Sequence, residues 1–205
     1  MHSGLIVAGG RSTRFGDSDD DKSVVDVAGV PMIRRVADRL GPVIDELVIN
    51  CREEQIESIR DVLAGYGSPL RFAPDETPDV GPVGGMATGL RAVEHEYAFV
   101  TACDMPLIDS AFVAYLFDQA VGHDAAVPQL DDRWLQTMHA VYRAQEMADA
   151  CEMALHTGAR RTVAPLSDLD YIIVDEDAVC EHSSLDTFKN VNTREELEQA
   201  VERLR

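Results

Sequence analysis

The chain has 205 residues, 45% of them hydrophobic, which is enough for one globular domain with a sizeable core. Asp and Glu number 37 against 18 Lys and Arg, a formal net charge of −19 that argues against nucleic-acid or anionic-membrane partners, since both favour basic patches. No apolar run reaches the roughly 18 residues a membrane span needs, and the first residues lack the basic and apolar regions of a secretory signal, so a cytoplasmic location is expected.

Apolar patterning predicts a buried strand over Gly4 to Ala8, ending in glycines, and a helix over Met32 to Leu40 with Pro31 at its first position. A second strand covers Leu47 to Ile49, a helix Glu53 to Leu63, and a short strand Leu70 to Ala73. Gly84 to Val93 reads as helix, Ala98 to Ala102 as strand and Ser110 to Ala120 as helix. Then come strands at Ala125 to Val127 and Leu135 to Val141, a helix over Ala144 to Leu155, a strand near Tyr171 to Val174, and a final helix from about Arg194, capped by Thr193. This alternation predicts an α/β fold with a mainly parallel sheet between helices and ligands at the carboxyl ends of the strands. No repeat or long linker divides the chain, so one domain is expected over residues 1–205. Cys51, Cys103, Cys151 and Cys180 form no Cys-x-x-Cys pair and read as four free core thiols.

The strongest chemical signal follows the first strand: Val7-Ala8-Gly9-Gly10-Arg11-Ser12-Thr13-Arg14-Phe15-Gly16, with Lys22 beyond. Gly9 and Gly10 let backbone approach a ligand, and a turn rich in N–H groups can cradle phosphate oxygens. Arg11, Arg14 and Lys22 would add positive charge where negative charge develops. Taken alone, Gly-Gly fits a plain strand-to-helix turn equally well. Lys22 tips the balance, because only Lys22 and Lys189 are lysines. The acidic run Asp17, Asp19, Asp20, Asp21 reads as solvated surface. An acidic, lysine-poor composition resembles proteins from salt-loving cells, where a Debye length of about 3 Å at 1 M salt screens self-repulsion.

The loop resembles the signature of nucleotidyltransferases that activate sugars, terpenoid precursors and cofactors. Further segments occur in matching order along nearly the whole chain: Val48-Ile49-Asn50, Ala73-Pro74-Asp75, Gly81-Pro82-Val83-Gly84-Gly85, Ala102-Cys103-Asp104-Met105-Pro106, Thr157-Gly158-Ala159-Arg160-Arg161 and Asn190-Val191-Asn192-Thr193. Together they resemble the molybdenum cofactor guanylyltransferase family. Phe15 stands where Met is usual, the acidic stretch before Lys22 is about two residues longer, and Thr137 replaces a Pro after Gln136.

The resemblance implies a three-layer α/β/α, Rossmann-like nucleotidyltransferase fold, with residues 1–106 mainly binding nucleotide and 107–205 mainly binding the acceptor. It implies GTP and molybdopterin as substrates, Mg²⁺ as cofactor, and transient contact with other cofactor-biosynthesis proteins. Catalysis would fall to Arg14, Lys22 and Asp104, and nucleotide binding to Val7, Ala8, Gly9, Gly10, Lys22, Asn50, Asp75, Gly85 and Asp104. Asp104 would hold the metal; a turn aspartate before Pro106 is the competing reading. For Asn50 and Asp75 a turn-stabilising role competes as well. Arg160, Arg161, Asn190 and Asn192 would hold the acceptor, with surface charge and an asparagine-rich turn as alternatives. His139 reads as a packing or hydrogen-bonding group near the acceptor rather than a base. Other activities in view are guanylyl or cytidylyl transfer to another phosphorylated acceptor, such as adenosylcobinamide phosphate, and nucleotide binding without turnover.

Overall fold

The computed structural model describes residues 1–10, 22–75, 80–131 and 133–204. In chain order these form β1 (Ser3–Val7), a hairpin of β2 (Asp26–Val27) and β3 (Val30–Pro31), α1 (Met32–Leu40), β4 (Glu46–Cys51), α2 (Ile56–Val62) and β5 (Leu70–Pro74). There follow α3 (Pro82–Arg91), β6 (Tyr97–Ala102), α4 (Ser110–Ala120), β7 (Ala125–Pro128), β8 (His139–Arg143), α5 (Ala144–His156), β9 (Tyr171–Val174), α6 (Glu176–His182) and α7 (Arg194–Arg203).

Seven strands make one sheet in the order β5-β4-β1-β6-β8-β7-β9. β5, β4, β1 and β6 pair in parallel, β8 runs against both its neighbours, and β9 is parallel to β7. Strand alternation sends side chains to two helical layers. Ile6, Leu47, Ile49, Phe99 and Val141 pack with α1, α2 and α4, while Leu5, Val48, Val100, Ala140 and Tyr142 pack with α3 and α5. The expected three-layer, mainly parallel architecture is therefore present. A smaller cluster of Val27, Met32, Val191 and Ala200 ties α7 to the hairpin.

Most elements fall where the pattern puts them, and α1 and α4 match their expected spans. α7 carries the expected cap: Glu196 N donates to Thr193 Oγ1 at 3.2 Å, and Thr193 N donates to Glu196 Oε2 at 2.9 Å. Four expectations need correcting. Pro31 ends β3 and caps α1 in extended backbone instead of starting the helix. The helix expected over residues 53–63 opens as a 3-10 turn at Glu53–Gln55, because the buried Gln55 side chain turns back to accept from Arg52 N at 2.9 Å. β8 begins only at His139: Leu135 makes a single bridge to Gln129, and His139 N donates to Gln136 O in a turn instead of continuing the ladder. The thiols are free, but Cys103 is half-buried and Cys180 exposed, so only Cys51 and Cys151 are core. α6, unforeseen, has little helical periodicity and is capped by Asp175, which accepts from Ala178 N.

Candidate active site

The chain builds β1, β4 and β5 outward in one direction, then crosses through α3 to place β6 on the other side of β1. Such a reversal opens a crevice at the carboxyl ends of the strands. Gly9 and Gly10 follow β1, Asn50 sits near the end of β4, Asp75 follows β5 and Asp104 follows β6, so all of them meet that edge.

On the β4–β5 side, Asn50 is fully buried. Its amide donates to Ala73 O at 3.0 Å and Asp75 Oδ1 at 2.8 Å, while its own Oδ1 is buried without a hydrogen-bond partner among the described residues. The amide thus aims the half-buried Asp75 carboxylate. Glycine is required at two contacts here: a Cβ on Gly9 would strike Asp75 Oδ2, and one on Gly85 would strike Asn50 Oδ1 and, at 2.8 Å, Val7. Gly85 lies in α3, which starts with Pro82 after Gly81, whose φ of +79° suits glycine. The backbone of Val7 and Ala8 is already engaged. Val7 O accepts from Cys103 N at 3.3 Å, Ala8 N donates to Asn50 O at 2.8 Å, and Ala8 O accepts from Gln55 Nε2 at 3.3 Å. Gln55 is a buttress the sequence did not reveal, since a lone Gln in a helical pattern carries no signal.

On the β6 side, Lys22 Nζ donates to Asp104 Oδ2 at 2.7 Å and to Asn192 Oδ1 at 2.8 Å. The Lys22 and Asp104 side chains are only 13% and 16% exposed, so this pair is shielded more than a surface ion pair. Asp104 Oδ1 is buried and lacks a hydrogen-bond partner among the described residues. The segment before α7 closes the group, with Val191 N donating to Asp104 O at 2.8 Å. Asn192 therefore stands beside Lys22, whereas Asn190 is exposed. Lys189, the other lysine, forms a surface pair with Asp186.

The arginine pair makes contacts of its own. Arg160 Nη1 donates to Val80 O at 3.1 Å, and Arg161 sits over the Trp134 ring, 5.8 Å from its centroid. Arg11 and Arg14, with the acidic run before Lys22, lie outside the described residues. His139 is wholly buried against Phe99, Phe112 and Phe188, and burial pushes its pKa down to about 3. It is a neutral packing group, and Thr187 Oγ1 lies 3.4 Å from its Nε2.

Residues 4–169 match the model of the MobA-like NTP transferase domain. The chain is 53% identical over 201 residues to the probable molybdenum cofactor guanylyltransferase of Natronomonas pharaonis, covering 98% of this chain and 97% of that one. The chain belongs to the molybdenum cofactor guanylyltransferase family. A second relative of that description, from Haloferax mediterranei, is 40% identical over 95% of this chain and 90% of its own length. Both come from halophilic archaea, in keeping with the acidic composition. The crystal structure of molybdopterin-guanine dinucleotide biosynthesis protein A from Archaeoglobus fulgidus shares the fold, with a TM-score of 0.79 at 24% identity over 100% of this chain and 98% of that one. So does 4-diphosphocytidyl-2C-methyl-D-erythritol synthase from Anaerococcus prevotii, at a TM-score of 0.75 and 15% identity over 99% and 97% of the two chains. Membership of this family makes the chain a nucleotidyltransferase.

Proposed function

We infer that the protein transfers GMP from GTP to the phosphate of molybdopterin, in the cytoplasm, leaving the guanine dinucleotide form of the cofactor and pyrophosphate. The contact of Lys22 with Asp104 and Asn192, beside the glycine turn, carries this reading: it joins three segments of the family's pattern at one strand end. Among the described residues, no helix is long and apolar enough to cross a membrane.

The acceptor phosphate is the nucleophile. Its second pKa is about 6, so at neutral pH it is mostly dianionic and needs no protein base. His139, buried and neutral, is not asked to be one. An oxygen of the acceptor forms a bond to the α-phosphorus, and the bond from that phosphorus to the bridging oxygen breaks, its electron pair leaving with pyrophosphate. The remaining difficulty is to align two polyanions, and positioning with electrostatics dominates such transfers. Lys22, oriented by Asp104 and Asn192, would stabilise charge on the phosphates, with Arg14 in the same role. Asp75, aimed by Asn50, would accept hydrogen bonds from the N–H edge of guanine, and Gly9, Gly10 and Gly85 would leave room for the nucleotide. Residues 1–106 would thus mainly serve the nucleotide and 107–205 the acceptor, the latter with Arg160, Arg161 and Asn190.

Asp104 also fits a cation. Its second oxygen is a buried acceptor without a partner among the described residues, and magnesium takes one or two carboxylates together with phosphate oxygens and water. Mg²⁺ bound there would neutralise phosphate charge as the new bond forms.

The test is pyrophosphate release from GTP, ATP and CTP with molybdopterin at molar KCl. Release with GTP, abolished in Lys22→Ala, is expected; release with CTP or ATP alone, or undiminished release by the variant, would overturn the assignment.

A further inference from the structure

We propose that Trp134, backed by Arg161, is a stacking platform for the planar ring system of the acceptor and selects a pterin at a distance from the reacting phosphate. This rests on the acceptor reading above and adds a residue to it.

The order of groups along the carboxyl edge of the sheet carries the argument. Asp75, Asn50 and the glycine turn occupy the ends of β5, β4 and β1, and Asp104 the end of β6. The next strand, β8, runs the other way, so its beginning lies at the same edge, His139 pairing with Thr101. Adjacent strands are about 4.8 Å apart. An acceptor whose phosphate reaches Lys22 and Asp104, with GTP on the β1 side, must extend its remainder over β8 and the loop that enters it. That loop holds Trp134.

Exposure of one apolar residue would by itself mean little. Trp134 is 61% exposed, and two further features set it apart. The Arg161 guanidinium lies over its ring, a cation–aromatic contact that backs the indole. Residues on both sides of Trp134 are held in advance: Thr137 Oγ1 lies 2.6 Å from Thr162 Oγ1, Tyr142 Oη donates to Thr137 O at 2.9 Å, and Gln129 Nε2 donates to Arg133 O at 3.1 Å. Pre-ordering lowers the cost of binding. Arg133, just before Trp134, has a φ of +63°. Ala28 shares this left-handed backbone, and both lie in hairpin turns, Ala28 between β2 and β3 and Arg133 between β7 and β8, where its N donates to Leu130 O at 2.7 Å.

The chain contains one tryptophan, so its indole emission reports this position alone. Saturating molybdopterin should protect Trp134 from acrylamide quenching, and GTP alone should not. In turnover, Trp134→Ala should raise the acceptor KM about 10–100-fold with the GTP KM unchanged, and Trp134→Phe should keep most of the affinity, as loss and rescue of a stacking partner require. An unchanged acceptor KM in Trp134→Ala, or protection by GTP instead of the acceptor, overturns the platform while guanylyl transfer stands. If the wild-type chain transfers to no pterin acceptor at all, the underlying function fails, and the platform with it.

Discussion

Strand β4 carries a buried polar residue at each end, and the two are built on opposite plans. At its amino end Glu46 is satisfied from several sides. Its Oε1 accepts from Ser3 Oγ at 2.5 Å and Glu94 N at 2.6 Å, and His95 Nδ1 lies 3.3 Å away. At its carboxyl end Asn50 spends its amide on aiming Asp75 and leaves Oδ1 buried without a partner among the described residues, as Asp104 Oδ1 is left two strands away. Buried polar atoms are nearly always paired, so an unpaired one asks for an explanation and a paired one does not. The amino-end cluster closes on itself and serves stability. The carboxyl-end groups are held in place with acceptor capacity in reserve, as a ligand site requires.

The sharpest way to break this contrast is Asp104→Asn. Asparagine keeps an acceptor for Lys22 but loses the charge. We expect kcat for pyrophosphate release to fall about 10²–10³-fold and folding stability to change by less than about 1 kcal/mol. A matching loss of both would make Asp104 a structural group like Glu46.

The converse is Glu46→Ala, which strands the Glu94 amide and leaves Ser3 Oγ with His95 Nδ1, 2.9 Å away. Stability in urea should fall by about 2–3 kcal/mol, with kcat unchanged at temperatures where the variant is folded. A selective loss of kcat would join the two ends functionally.

The smallest effect refines the comparison through pH. Burial opposes ionisation of Glu46, but hydrogen bonds from Ser3 and Glu94 N and the charge of His95 outweigh it and hold its pKa below the ordinary 4.5. A lowered carboxylate pKa means stability present above the unfolded value and lost as pH falls through the folded one. Thermal melts of wild type should therefore lose stability below about pH 4.5, and Glu46→Gln should lose less over that window. Parallel curves would show that Glu46 is not what acid titrates.

Periodicity marked α1, α4 and the strands because their apolar faces repeat regularly and bury fully. It missed α6, whose seven residues rely on a cap, and it ran β8 too far back, because Leu135 is apolar but follows Arg133 in left-handed backbone. Lys22, Asn50, Asp75 and Asp104 could be named in advance from the order of their motifs. Their partners could not. The contact of Lys22 with Asn192 spans 170 residues, and the buttress from Gln55 to Ala8 spans 47.

By itself, then, the sequence determined the layers and put the candidate residues at the carboxyl edge, since alternating apolar periods and chain order dictate a parallel sheet and its crevice. Tertiary structure alone decided which polar atoms are satisfied and which are left open. It also decided that Asn192 joins Lys22 and that Arg161 meets Trp134. The physical reason is that a hydrogen bond or ring contact depends on separations of a few ångströms between segments far apart in the chain. No local pattern encodes those distances; packing of the whole core does.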